Sequence, residues 1–404
     1  MPVRGTSVYP KTDSLMHLGL ERCVRAPLPF LRGMRFGLLV NQASLDCSYH
    51  SSCDLLDAAY PGQLRALFSP QHGLWSEEQD NMIESPHARH PRLGIPVHSL
   101  YAESRRPLPE MLEGLDCLVV DMQDVGTRVY TYVWTAMYCL EACAQQDLPM
   151  LILDRPNPLG GEIVEGPLLK PAYTSFVGRA SVPMRHGLTM AELLSFINVT
   201  AGINAAVEVV PVSSLKRAMR HESTGRSWVP TSPNLPRIEG VQVYPGTVLV
   251  EGTNLSEGRG TTTPFEIVGA PFVDPFALAE AMRDWGLPGV FFRPIRFRPT
   301  FQKWQDRECG GVFMHVTDPD GFRPYATAVA LLSAVRCLWP EGFRWLDPPY
   351  EYEETKMPID ILSGDCALRH AVAGVPLDAA AFRALTTIDA AAWWRQVAPF
   401  RLYD

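Results

Sequence analysis

Short, nearly continuous apolar runs alternate with stretches of helical periodicity along most of the chain. The runs at 34–40, 64–68, 117–121, 150–154 and 207–212 are apolar at almost every position. A strand buried on both faces reads this way, whereas a strand with one wet face alternates. Between them, residues 130–145 place Tyr130, Val133, Trp134, Met137, Leu140 and Ala144 on one helical stripe. At 189–198 a second helix is expected, with Thr189 as N-cap and Glu192 three residues on, the pair that forms a capping box. Strands alternating with helices predict βαβ units and a parallel sheet.

After about residue 245 the texture changes. The polar, glycine-rich stretch EGTNLSEGRGTTTPFE precedes expected strands at 289–297 and 311–316 and helices at 275–285 and 325–338. The expected class is therefore α/β, a Rossmann-like parallel sheet with a second, smaller α+β domain. The division expected is a site-bearing domain over 1–245 and an auxiliary domain over 246–404 that closes a cleft.

Composition and charge remove several function classes. Of the 404 residues 46% are hydrophobic and 20% charged, the make-up of a globular protein. A formal net charge of -8 disfavours a nucleic-acid backbone as partner, and the chain has no polybasic run for an anionic membrane. The N-terminal MPVRGTSVYPKTDSL has no apolar core of a secretory leader. With nine cysteines, an odd number without metal-type spacing, reduced thiols in the cytoplasm are the expectation. Neither GxGxxG, a P-loop, HExxH nor the serine elbow GxSxG occurs. No cofactor and no metal are therefore expected.

Ligands of open parallel sheets bind outside the carboxyl ends of the strands. Polar residues cluster at four such ends here. They are Asn41-Gln42; Gln71-His72-Gly73; Asp121 with Asp124 and Arg128; and Asp154-Arg155 with Asn157. Glu165 and His186 follow in loops, His186 just before a helix start. Without a nucleophile elbow or a metal motif, paired carboxylates remain as the available chemistry, and these are what glycoside hydrolysis uses.

Long strings of the sequence resemble the family of exo-β-N-acetylmuramidases. They include FGLLVNQASLD, LFSPQHG, IPVHSLYAESRRPLPEML, LVVDMQDVGTRVYTYVWTAM, LDRPNPLGG, VEGPLL, SFVGRASVPMRHGLTMAELL, YPGTVLVEGTNLSEGRGTTTPFEIVGAP and PTFQKWQDRECGGVFMHVTD. The resemblance covers about 34–318 in order. It implies release of N-acetylmuramic acid from the non-reducing end of peptidoglycan fragments, without metal or organic cofactor.

In the family the second-strand motif is usually Glu-His-Gly, and here the matching position is Gln71. A glutamine cannot serve as general acid, base or carboxylate nucleophile. Three explanations are open: another acid serves, with Glu84 or Glu77 and Glu78 nearest in the chain; the 2-acetamido group of the substrate supplies the nucleophile; or this branch takes another substrate or only binds one. The first is the leading expectation. Glu165 with one of Asp121, Asp124 or Glu84 is expected to form the acid–base pair. Gln71, Asn157 and Asn254 are expected to fix hydroxyls and the acetamido group, with His72, Asn41, Asp154 and His186 around them. Arg128, Arg155 or Arg259 is expected to meet the lactyl carboxylate. The 252–264 loop is expected to close over the sugar, with Trp75 or Tyr130 as stacking platforms. Two rival readings are a sugar-binding protein that lost its acid and a metal-dependent amidase or deacetylase using His72, Asp121 and His186.

Overall fold

The computed structural model describes residues 16–80 and 82–404. The N-terminal segment read above for a leader lies outside them, except its surroundings from Met16 onward. No helix among the described residues is long and apolar enough to cross a membrane.

Seven strands form one sheet: β1 Phe36–Val40, β2 Leu64–Ser69, β3 Ala88–Arg89, β4 Pro96–Ser99, β5 Cys117–Asp121, β6 Met150–Leu153 and β7 Val207–Val210. Their order is β3-β4-β2-β1-β5-β6-β7, with every pairing parallel except the β3 edge. Four of the apolar runs are the buried strands β1, β2, β5 and β6, whereas the run at 207–212 forms β7, a partly exposed edge strand. Successive residues face opposite layers. Phe36, Leu38 and Val40 join the apolar layer that holds Leu20, Cys23 and Leu56. Leu39, Leu118 and Val120 join the larger layer on the other face.

That larger layer runs without a break into the C-terminal half, through Val241, Leu249, Val329 and Leu332. There β8 Ile267–Ala270, β9 Val290–Phe297 and β10 Cys309–Val316 make an antiparallel sheet in the order β8-β10-β9. Helices Pro275–Asp284 and Pro324–Leu338 accompany it. The helix Ile238–Thr247 approaches Pro324 so closely that a Cβ on Gly246 would lie 1.9 Å from the Pro324 carbonyl oxygen. Only glycine permits that approach, and it anchors the segment leading to Glu251.

The helix expected at 130–145 is Tyr132–Gln145, and that expected from Thr189 is Met190–Thr200. In the latter Thr189 accepts from the Glu192 amide while the Glu192 carboxylate accepts from the Thr189 amide. Three strands had no forecast: β3, β4 and β8. All nine cysteines are unpaired.

Candidate active site

Strand order reverses direction at β1, whose neighbours are β2 on one side and β5 on the other. The segments leaving β2 and β5 therefore diverge, and the crevice between them is where doubly wound sheets hold ligands. Gln71 and His72 leave β2 there, and Tyr130, Thr131 and Tyr132 follow β5. Tyr244, Glu251, Arg259, Tyr350 and Glu351 of the later chain close the space from above. The cavity is narrow, and the roughly 470 Å³ of empty space in and around it is partly open to solvent.

A directed hydrogen-bond chain crosses this cavity. Thr131 Oγ1 donates to Gln71 Oε1 at 2.9 Å, and Gln71 Nε2 donates to Tyr101 Oη at 3.1 Å. Tyr101 Oη in turn donates to Glu351 Oε2 at 3.0 Å. Burial pushes the Glu351 carboxyl up to about 7, opposed by the bonds from Tyr101 and Gln71 and helped by the charge of Glu251. Such a carboxyl holds a proton for a good part of the time near neutrality, as a general acid must. Glu351 and Tyr352 both sit at positive φ, 44° and 64°. Two consecutive non-glycine residues in that region are costly, and such strain concentrates where geometry serves function.

Beside this acid lies a paired ionic cluster. Glu251 accepts from Arg259 Nη2 at 2.8 Å and from Tyr350 Oη at 2.6 Å. Arg259 also meets Glu257 at 3.2 Å, and Lys303 meets Glu257 at 2.7 Å. Burial opposes the Arg259 charge, but Glu251 and Glu257 outweigh it and raise its pKa. Glu251 is thus held by two donors, one of them the Arg259 guanidinium, and lies near enough to Glu351 to favour the protonated form there. His72 donates from Nδ1 to the Glu78 carbonyl, 2.7 Å away, on the reading that leaves Nε2 as acceptor. Burial pulls its pKa down to about 4, so the ring is neutral.

Of the residues expected from sequence, Gln71, His72, Tyr130 and Arg259 line this cavity. The others have different surroundings. Asp121 accepts from Arg155 Nε at 2.5 Å and Nη2 at 2.8 Å, and from Ser52 Oγ, so both charges are used on each other. Asp154 accepts from Thr189 Oγ1 at 2.7 Å, Tyr403 Oη at 2.6 Å and the Ala191 amide at 3.1 Å. Glu165 faces the backbone amides of Tyr325 and Ala326 at the start of helix Pro324–Leu338, with Arg185 at 3.7 Å. Burial lifts its carboxyl to about 7, against the helix N-terminus beside it, which favours a negative charge. Glu84 is on the surface, its side chain 56% exposed, 3.3 Å from Arg105.

The amides are likewise engaged. Asn41 Oδ1 accepts from the Ala43 amide and its Nδ2 donates to the Gln123 carbonyl. Asn157 donates to the Leu188 carbonyl and accepts from the Leu159 amide. Asn254 joins the backbone of Gly342 and Arg344. Arg128, wholly buried, donates to the carbonyls of Pro167, Val182 and Leu362. Of the loop 252–264, residues 252–260 are packed almost throughout, while Thr261, Thr262 and Thr263 are half-buried or exposed. Trp75 is exposed beside His90, whereas Tyr130 lines the cavity and donates to Thr231 Oγ1 at 2.8 Å.

Asp124 and His186 form a separate buried pair. The Gly126 amide donates to Asp124 Oδ2 at 2.7 Å, and His186 Nε2 stands 3.9 Å from the same oxygen. Burial raises Asp124 to about 6 and lowers His186 to about 3. His72, Asp121 and His186 are thus in three different settings, and no group of three or more His, Cys, Asp or Glu among the described residues is placed to hold a metal. The acids that do line the cavity, Glu251 and Glu351, were not singled out from sequence. Glu251 did fall inside a quoted motif, and Glu351 carried no signal beyond the acidic run YEYEE.

Comparison with known proteins agrees with this architecture. Residues 36–239 match the family model described as exo-beta-N-acetylmuramidase NamZ, N-terminal, and residues 242–403 match the C-terminal model of the same name. The peptidoglycan beta-N-acetylmuramidase NamZ of Bacillus subtilis (strain 168) is 44% identical over 316 residues, covering 78% of this chain and 76% of that one. Two crystal structures of DUF1343 family proteins from Bacteroides fragilis NCTC 9343 are similar in fold. One superposes with TM-score 0.86 at 29% identity, covering 97% of this chain and 100% of that chain. The other gives 0.73 at 27%, covering 96% and 99%.

Proposed function

Because the chain belongs to the exo-β-N-acetylmuramidase NamZ family, we propose that it is a glycoside hydrolase releasing N-acetylmuramic acid from the non-reducing ends of peptidoglycan fragments. The 44% identical relative bears the name of a peptidoglycan β-N-acetylmuramidase. The observation that carries the reading is Glu351, a buried carboxyl lifted to about 7 at the edge of the sheet crevice.

In this reading Glu351 protonates the glycosidic oxygen. Glu251, fixed by Arg259 and Tyr350, stabilises the positive charge that develops at the anomeric carbon. Gln71 takes no proton. Its amide instead aligns Tyr101 and Glu351 through the chain from Thr131. The first half, 1–245, supplies the floor of the site, and the second, 246–404, supplies both acids. Nine unpaired thiols suit a reducing compartment, and we place the reaction in the cytoplasm.

The uncharged Gln71 at the crevice favours one rival, a protein that binds amino sugars without cleaving them. Incubation with a muramic-acid-terminated disaccharide separates the two. Release of free N-acetylmuramic acid supports the hydrolase, and calorimetric binding with no release supports the rival.

A further inference from the structure

N-acetylmuramic acid differs from N-acetylglucosamine by a 3-O-lactyl group, which is a carboxylate at neutral pH. Within and around the inner cavity the cations are already engaged. Arg259 is held by Glu251 and Glu257, and Lys303 by Glu257 and the carbonyls of Val250 and Thr253. Arg155 is paired with Asp121, Arg128 is surrounded by carbonyls, and His72 is neutral. The nearby acids Glu251 and Glu257 would repel a further carboxylate.

A second, wider groove adjoins the cavity, and Glu351 lines both. It has about 890 Å³ of empty space open to solvent and includes Arg105, Arg106, Tyr138, Phe176 and Tyr352 in its walls. Its acids are engaged elsewhere: Glu103 with His87 at 2.8 Å, and Glu353 with Lys356 at 3.0 Å. Arg105 is firmly placed. Its guanidinium lies 3.7 Å from the ring centroid of Tyr352 and 4.8 Å from that of Tyr101, and Nη1 donates to the Ala102 carbonyl. Its Nε is buried with no hydrogen-bond partner. The neighbouring Nη2 has only Glu84, 3.3 Å away and mostly in solvent. Nε and Nη2 form the edge of a guanidinium that takes a carboxylate bidentately. Tyr101, against which Arg105 packs, is the residue that donates to Glu351.

We propose that Arg105 receives the lactyl carboxylate and thereby sets the preference for N-acetylmuramic acid over N-acetylglucosamine. The proposal rests on the sugar-site reading above. The sugar then lies with its anomeric carbon at Glu351 and its lactyl arm turned into the outer groove. A substrate carboxylate completes the Nε hydrogen bond and competes with the exposed Glu84 for Nη2.

The test is calorimetric titration of free N-acetylmuramic acid and free N-acetylglucosamine into the wild-type chain and into Arg105→Gln. A hydrogen bond to a charged group contributes about 1.5–3 kcal/mol, so the variant is expected to bind N-acetylmuramic acid about 10–100-fold more weakly and N-acetylglucosamine unchanged. Arg105→Lys, which keeps the charge and loses the fork, is expected to fall between, and it carries the comparison if the glutamine variant does not fold. A wild type with no preference, or equal weakening of both sugars in the variant, overturns the proposal. A preference that is intact in a wild type unable to cleave a muramic-acid-terminated disaccharide overturns the hydrolase reading alone.

Discussion

The hydroxyl of Tyr101 donates to the carboxylate of Glu351 at 3.0 Å, across 250 positions of chain. It joins the segment after β4 to a strained turn of the C-terminal half, and through Gln71 to the end of β2. The proton inventory of the site depends on this contact, because it is the donor that most restrains the upward shift of Glu351.

The first expectation is a pH profile. With Glu351 as general acid at about 7, kcat/KM for a chromogenic N-acetylmuramide should fall as pH rises through about 7. Tyr101→Phe removes a bond that favours the ionised form, so the carboxyl pKa rises further and the limb moves to higher pH. A limb that stays in place in Tyr101→Phe would argue that another group titrates.

Glu165 provides a contrasting case. It does not line the cavity, so Glu165→Gln should keep kcat within a few-fold of wild type. Its folded carboxyl is raised from 4.5 to about 7. The proton is bound more tightly in the folded state, so the resulting stabilisation is full below about 4.5 and lost as pH rises through about 7. The melting temperature of wild type relative to Glu165→Gln should therefore decline from pH 5 to pH 8. Loss of turnover in a folded Glu165→Gln would return this residue to the catalytic pair.

Asp121 and Arg155 should matter for stability. Removing one partner of a buried pair leaves the other charge uncompensated, at a cost of about 3–5 kcal/mol. Asp121→Ala should lower the urea midpoint accordingly, while the folded fraction keeps its KM. A raised KM at unchanged stability would place Asp121 at the substrate.

These cases also show how far the sequence could be read. Strands β1, β2, β5 and β6 were legible because burial on both faces leaves a continuous apolar run, and Thr189 with Glu192 marked a helix start whose two bonds form. Strand β4, PVHS, is short and contains Pro96 and His98, so no apolar run announces it. Strand ends marked the right edge of the sheet, and Gln71 and His72 do line the crevice. They could not show which carboxylates turn toward it. Asp121 and Asp154 sit at strand ends like functional acids, yet one meets Arg155 and the other Thr189 and Tyr403. Glu251 and Glu351 reach the site only through the packing of the second half. Their approach depends on long-range contacts, such as Gly246 against Pro324, that no local pattern encodes.

The most direct measurement compares Glu351→Gln and Gln71→Glu with wild type on one chromogenic N-acetylmuramide, with folding checked by circular dichroism. Loss of general acid catalysis is worth about 10²–10⁴-fold, and Glu351→Gln should fall by that order. Gln71→Glu adds a like charge within reach of Tyr101 and Glu351, which raises the Glu351 pKa further and should not increase turnover. Intact turnover in Glu351→Gln together with a large gain in Gln71→Glu would contradict the assignment of Glu351 as the acid.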